Sequence, residues 1–587
     1  MRSGATSSLF TIREISGGGS PRMKRFLRGS VARAFARISE YLAYNSLKSY
    51  GAFSLSFGLV TLLLNLSKYY ILDNPVIEPS TLVVGAIFVI LSIPLMFIDK
   101  PLCIATQEFF LTDYVFFEFL LLRRLNKIKN PPSIPVIVSI FFGIVPAALG
   151  FIFPLKYILL TGLVLAVIAL SLESLEFPTI LALMISPYFA FIPGKTYVVA
   201  AISVLSFISF LFRVIIGKRV YHLDFYSVAI LIFGVFMTIA GFVGYGEQSR
   251  VNAWLYLALL LGYFPASGLV VNRRLADAAV KAIVVSTLPI SLYSLAFGIT
   301  DVVQNGFSVL SDFYYGSQFG GESSFVLSVY LLISALFTLM FFLEKSRKIK
   351  RAFYLVFFII DVLAILTISQ FGAIVATVLS LILFVFTFKN ARIAGYVSLP
   401  ISVLPYFIPA LPEKYLDSIS HVLNFEAPLS EIAKKLYENI TVAFENPIFG
   451  IGIGKDSYDA YVGAVTERAD NLFLGIASSV GMIALFVLII TISLKFLQDS
   501  VYSHYVKYSS VHVASAMSTA AISALLILGA FGSLFESPEL FFTFFVLFGI
   551  SSATLRVAKK ETDDRLNYYG DARSSQTSAI DINLTRF

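Results

Sequence analysis

Apolar runs of helix-spanning length recur along the chain from Gly51 to Leu555, with polar breaks between them. A bilayer-crossing helix needs about 20 predominantly apolar residues. Runs of about this length occupy 51–72, 81–98, 136–153, 157–172, 177–193, 196–212, 225–244, 252–271, 282–300, 325–343, 352–369, 372–388, 393–411, 471–494, 511–535 and 539–555. The pattern predicts an all-α polytopic membrane protein with about sixteen transmembrane helices. A further apolar piece, 109–122, is interrupted by Asp113 and Glu118, with Lys100 before it and basic residues at its far end. It is expected not to cross, because crossing would invert every later loop against the charge bias.

Composition agrees with a bilayer as solvent: 57% of residues are hydrophobic, 14% are charged and the mean hydropathy is +0.83. A water-soluble core could not bury so much apolar surface, so one membrane domain is expected, multi-pass in the cell membrane. The net charge of +8 would suggest nucleic acid in a soluble protein. Here the position of each cation matters more, and no nucleic-acid partner is expected. With the N-terminus cytoplasmic, about 35 of the 44 Lys and Arg residues fall on the inner side, and the even number of spans returns the C-terminus to the cytoplasm, in agreement with Arg556, Lys559 and Lys560 after the last span. The single cysteine, Cys103, and four scattered histidines leave no cluster for a metal, and no cofactor is expected.

Five regions follow from these patterns. Residues 1–50 form a basic cytoplasmic tail, in which Leu27, Val31, Phe35, Ile38 and Leu42 recur at helical spacing between Arg28, Arg33 and Arg37, as in an interfacial helix over Arg22 to Ala43. Residues 51–411 are membrane helices, 412–470 an extracytoplasmic loop, 471–555 further membrane helices and 556–587 a cytoplasmic tail. In the long loop, Leu429, Ile432, Leu436, Ile440 and Phe444 follow helical spacing, which predicts a structured helical cap. The span 393–411 carries Pro400, Pro405 and Pro409 and should break. Asp361 lies at membrane depth and should face the bundle interior, since a carboxylate in lipid costs about 2.5–3.5 kcal/mol on insertion scales. Asn439-Ile440-Thr441 is a glycosylation sequon whose use the expected helix disfavours.

The candidate chemistry lies at the end of the long loop. Gly450, Gly452 and Gly454 alternate in Gly-Ile-Gly-Ile-Gly and are followed by Lys455. No strand is expected before them, so a dinucleotide site is not predicted, but glycines allow unusual backbone angles and close approach of amides to an anion. The run Glu445-Asn446-Pro447-Ile448-Phe449-Gly450-Ile451-Gly452-Ile453-Gly454, then Asp470-Asn471-Leu472-Phe473-Leu474, then Gly481-Met482-Ile483-Ala484-Leu485, resembles the O-antigen ligase and O-antigen polymerase superfamily. That family's long external loop ends in an Asn/His-Pro-Leu-x-Gly-x-Gly stretch and leads into a His-Asn-x-x-Leu helix. Weaker likenesses are the Gly316-to-Leu327 junction and Thr367-Ile368-Ser369-Gln370.

The resemblance implies a C-type glycosyltransferase architecture. It also implies metal-independent transfer of a polyprenyl-pyrophosphate-linked glycan donor to a glycan acceptor at the outer face, among membrane lipid. The chain departs from the family pattern twice, with Asp470 where the family commonly has His and Ser369-Gln370 where it commonly has Ser-Arg. Such transfer requires fixed positive groups for the departing pyrophosphate and a base for the acceptor hydroxyl. Arg468 is the leading cation, with Lys455 and Arg250 as alternatives beside Gly450, Gly452 and Gly454 in substrate binding. Asp470, His421 and Glu467 are the candidate bases. A lipid-linked oligosaccharide flippase or other secondary transporter is the rival reading, since it would also account for the many helices, the broken span and Asp361. A protein-glycosylating oligosaccharyltransferase would want paired carboxylates in an early external loop, and 73–80 offers only spaced acids.

The orientation is testable with reporters. A fusion within 412–470 is expected to report outside, and fusions after Arg351 and after Lys560 inside. A cytoplasmic signal from the long loop would put the candidate site on the wrong face.

Overall fold

The computed structural model describes residues 10–11, 41–71, 79–109, 112–120, 134–173, 176–191, 195–216, 221–270, 273–305, 321–344, 348–368, 371–387, 392–412, 416, 429–463, 471–501, 509–530, 532, 534–535 and 537–584. The expected interfacial helix Arg22 to Ala43 lies almost entirely outside them. The chain forms two compact units, 18–178 and 1–17 with 179–587.

The smaller unit contains α1 (Leu47–Ile71), α2 (Pro79–Met96), α3 (Leu102–Glu108), α4 (Val136–Ile152) and α5 (Leu155–Glu173). Helix α1 packs on both α2 and α4. The α1–α2 approach depends on glycine, because a Cβ on Gly58 would stand 2.7 Å from the Gly85 carbonyl oxygen. Small residues of this kind let transmembrane backbones meet closely where lipid offers no hydrophobic drive to associate. Among its described residues the apolar piece at 109–122 contributes a seven-residue π-helical stretch, Asp113–Phe119, after the equally short α3. At roughly 1.5 Å per residue neither reaches across a bilayer.

The larger unit runs through α6 (Glu176–Ile185), α7 (Lys195–Ile216), α8 (Phe225–Val243), α9 (Gln248–Leu260), α10 (Tyr263–Leu269), α11 (Arg273–Asn305), α12 (Gly321–Glu344), α13 (Lys348–Ile368), α14 (Phe371–Thr387) and α15 (Arg392–Val403). It continues with α16 (Leu429–Glu445), α17 (Lys455–Val462), α18 (Leu472–Val480), α19 (Met482–Val501), α20 (His512–Leu528) and α21 (Pro538–Leu584). A two-residue antiparallel bridge joins Phe10–Thr11 to His222–Leu223. Helices α12 and α21 are the most enclosed, with 83% and 89% of their membrane-length stretches buried. The enclosed stretches are predominantly apolar around their circumference, as helices surrounded by protein are.

Among the described residues, nine helices are long and apolar enough to cross a membrane, and four shorter apolar helices accompany them. The protein is thus a helical, multi-pass membrane protein. Three further expected spans are broken pieces rather than single helices. The 177–193 segment is α6 followed by a 3-10 turn at Ser186–Phe191, 252–271 is divided between α9 and α10, and 393–411 passes from α15 into a 3-10 turn at Leu404–Ala410. Pro405 and Pro409 lie in that last turn, where each lacks the amide an α-helix would use. The 471–494 run, expected as one helix, is two, because Gly481 adopts φ +106° between α18 and α19. Helix α21 continues beyond Leu555 into the expected C-terminal tail, as far as Leu584.

Polar side chains tie the helices together. Asp361 on α13 is buried and accepts from Ser291 Oγ of α11 at 2.6 Å and Ser334 Oγ of α12 at 2.7 Å. It faces the bundle interior, as its cost in lipid demands. Lys495 and Asp499 form a buried ion pair on α19, and Thr519 of α20 donates to the second Asp499 oxygen at 3.1 Å. Arg556 on α21 bonds Asp224 at 3.2 Å, and the same carboxylate caps α8 through the Ser227 amide at 2.8 Å.

Truncating Asp361 leaves the buried Ser334 hydroxyl without its acceptor and Ser291 with only the Thr287 carbonyl at 3.1 Å, as well as a cavity. Asp361→Ala is expected to cost about 2–4 kcal/mol. Asp361→Asn, which keeps one acceptor and one donor, should lose less than half of that. Thermal unfolding of the purified protein in detergent checks the order, and equal stability of the two variants would contradict it.

Candidate functional site

The cap is built from α16 and α17. Helix α16 buries Ala433, Leu436, Asn439, Val442 and Ala443 and exposes Tyr437 and Phe444. The expected stripe ending at Phe444 is therefore rotated by about one residue, and the buried face turns to α18 and to the 3-10 turn at Leu404–Ala410. Asn439 of the sequon is fully buried, and its Nδ2 donates to the Lys435 carbonyl at 2.8 Å, so the folded chain offers no glycosylation there.

Between α16 and α17 the glycine run is held on both sides by backbone. The amides of Ile451 and Gly452 donate to the carbonyls of Ser478 and Ser479 at 2.8 and 3.1 Å. Those carbonyls end α18, where a helix has no partners of its own. On the opposite side the Tyr245 amide donates to the Ile451 carbonyl at 2.8 Å, Ser249 Oγ accepts from the Ile453 amide at 3.1 Å, and Asn252 Nδ2 donates to the Ile453 carbonyl at 3.0 Å. The Gly450 amide donates to Asn446 O at 3.0 Å. The run thus bridges the end of α18 and the α8–α9 turn.

This arrangement revises the role expected of the glycines. The amides of Gly450 and Gly452 are occupied by protein acceptors, so they are not free donors for a ligand anion. What the segment demands is backbone freedom, since Gly450, Gly452 and Gly454 have φ of +65°, +107° and +109°. Gly452 also passes so close that a Cβ would stand 2.5 Å from Ser249 Oγ and 2.9 Å from Gly244 Cα. Such strained angles cost non-glycine residues of order 1–3 kcal/mol.

Of the expected cations, Lys455 opens α17 directly after Gly454, and Arg250 lies on the first turn of α9, next to Ser249 and two residues before Asn252. The hydrogen bonds of Ser249 and Asn252 to Ile453 bring these two helix starts together. Both cations are exposed, and neither forms an ion pair with another described residue. Beside them the Tyr245 and Tyr461 rings are 5.0 Å apart. Tyr461 donates its hydroxyl to Glu445 at 2.8 Å, and that carboxylate raises the phenol above its ordinary pKa. Arg468, Asp470, His421 and Glu467 lie outside the described residues. Among the described residues no three His, Cys, Asp or Glu side chains converge as a metal site would require.

Asn471 is the residue whose importance the sequence understated. It is the N-cap of α18, with Oδ1 accepting from the amides of Phe473 and Leu474 at 3.1 and 3.3 Å. The same oxygen accepts from the Tyr406 hydroxyl at 2.6 Å, and Nδ2 donates to Ala530 O at 3.2 Å. One buried side chain thereby joins the broken proline span, the helix after the loop and the α20–α21 connection. An Asn directly before an apolar run is a legible cap signal, but Tyr406 and Ala530 are distant in sequence and gave none. Asn471→Ala removes the cap and strands buried partners, with an expected loss of about 2–4 kcal/mol, whereas Asn471→Ser should recover part through its hydroxyl. Unfolding midpoints in detergent decide it, and no difference between the two variants would refute the capping role.

No protein-family model matches this chain, and neither a curated protein nor a solved structure matches it significantly.

Proposed function

We propose that the protein transfers glycan from a polyprenyl-pyrophosphate-linked oligosaccharide to an acceptor at the outer face of the membrane, as a polymerase or ligase. The carrying observation is that the separated stretches bearing the family resemblance are each other's structural partners. Ile451 and Gly452 bond Ser478 and Ser479, and the Met482 amide donates to Pro447 O at 2.7 Å. A set of motifs that closes into one hydrogen-bonded body supports a shared role better than a set of scattered likenesses. The exposed cations Lys455 and Arg250 flank this body, and Asp470 and Arg468 immediately precede its Asn471 cap in the sequence.

In the proposed reaction the acceptor hydroxyl attacks the anomeric carbon of the donor. The bond from that carbon to the phosphate oxygen breaks, the acceptor proton passes to a base, and polyprenyl pyrophosphate departs. Asp470, His421 or Glu467 would serve as the base. Arg468, with Lys455 and Arg250, would stabilise charge developing on the leaving group, where fixed positive groups are most effective. Buried Asp361 and the proline-broken span favour the second reading, a flippase or secondary transporter, because interrupted helices and intramembrane acids are common at transport sites.

Purified protein given lipid-linked donor separates the two. Arg468→Ala is expected to reduce glycan transfer by about 10²-fold or more with normal insertion, and Arg468→Lys to recover only part, since a point charge lacks the planar fork that grips two phosphate oxygens. Lys455→Ala and Arg250→Ala should cost less, as flanking groups. Asp470→Asn should give a steep, pH-dependent loss if Asp470 is the base. Movement of the intact donor across a vesicle without a new glycosidic bond, or unchanged rates in every variant, would move the assignment to transport.

A further inference from the structure

The smaller unit holds a cavity of about 160 Å³ where α1, α2 and α4 converge on the α4–α5 turn, lined by Thr61, Leu64, Asn65, Thr81, Ala147 and Pro154 among others. Thr61 is 4% exposed, and its Oγ1 has no hydrogen-bond partner in the protein. A buried hydroxyl without a partner is a cost that a bound group able to hydrogen-bond would remove. Among the described residues no Asp, Glu, Lys or Arg lines the cavity, so an ammonium or a phosphate inside it would lack a counter-charge from them. A neutral, hydroxyl-bearing group has no such difficulty. A cavity of about 150 Å³ accommodates a six-carbon ring, so a group of the size of glycerol fits.

The rim points to the source of that group. The turn beside the cavity exposes Ile152 and Phe153 at 71% and 55%, as a lipid-facing end does. Lys156, one residue beyond the lining residue Leu155, is exposed and holds its Nζ 5.2 Å from the Tyr157 ring centroid. A lysine and tyrosine pair at a helix end is suited to the headgroup layer, with the ammonium available to a lipid phosphate.

We propose that this cavity is a binding site for a phospholipid whose headgroup carries free hydroxyls, of the phosphatidylglycerol class, with the hydroxylated end at Thr61 and the phosphate at Lys156. The assignment uses only residues of the smaller unit and is independent of glycan transfer.

Thermal unfolding of the full-length protein, delipidated in detergent and titrated with phosphatidylglycerol, phosphatidylethanolamine or free glycerol, tests it. Phosphatidylglycerol is expected to raise the midpoint at concentrations where the other two do not. Thr61→Val should leave the lipid-free midpoint unchanged or higher, because it removes an unpartnered buried hydroxyl. It should also raise the half-saturating phosphatidylglycerol concentration about tenfold, as loss of one buried hydrogen bond implies. Thr61→Ser should retain the affinity, and Lys156→Gln should weaken it and reduce its salt dependence. Equal stabilisation by phosphatidylethanolamine or by glycerol alone, or an unchanged half-saturation in Thr61→Val, would overturn the proposal.

Discussion

In hydrocarbon every backbone N–H and C=O needs a partner within the protein, and an unpaired group costs several kcal/mol. Regular helices meet this requirement by themselves, while the breaks in this chain meet it by borrowing. The carbonyls that α18 cannot satisfy take the amides of Ile451 and Gly452, and the free amides at its other end take Asn471. The segment 446–453 is therefore a capping element for the discontinuous helix α18. Its glycines follow from that duty, since a run of bonds to two sides at once needs backbone angles that only glycine adopts without strain.

The same requirement governs the polar side chains. Asp361 occupies a position where two other helices each supply a hydroxyl, and the Lys495–Asp499 pair is completed by Thr519. Pairs buried in this way add little net stability compared with well-packed apolar residues, yet breaking one leaves an uncompensated charge. They hold α11 to α13 and α19 to α20 in defined register. In lipid, where apolar contact alone discriminates poorly between helix faces, such points carry much of the specificity.

For the candidate site the outcome is a division of labour. The amides of Gly450, Ile451, Gly452 and Ile453 serve the scaffold, so under the proposed function recognition of an anionic donor would fall to side chains at the start of α9 and α17. Arg250 and Lys455 lie far apart in the sequence, and the helix starts that carry them are joined by the bonds of Ser249 and Asn252 to Ile453. Nearby, Trp254, the sole tryptophan, is exposed and 6.0 Å from the Phe242 ring at the end of α8, in the manner of an interfacial aromatic belt.

Much of the architecture was legible from residue order, because helix length and apolar content are local properties and the bilayer imposes both. The many apolar helices, the interior orientation of Asp361, the break at the prolines and the helical nature of the loop all follow from neighbours in sequence. The division of 471–494 at Gly481 did not, since an isolated glycine within an apolar run is usually tolerated as helix. It becomes a break here because the Met482 amide and the Ser478 and Ser479 carbonyls find partners in Pro447, Ile451 and Gly452. The rotation of the α16 stripe, the commitment of the glycine amides and the three-way role of Asn471 likewise depended on segments distant in the chain. Sequence by itself determined which stretches are apolar enough to prefer a bilayer, because the cost of transfer from water is set residue by residue. Only the tertiary structure decided which polar groups meet inside it, because a hydrogen bond requires both of its ends to be placed.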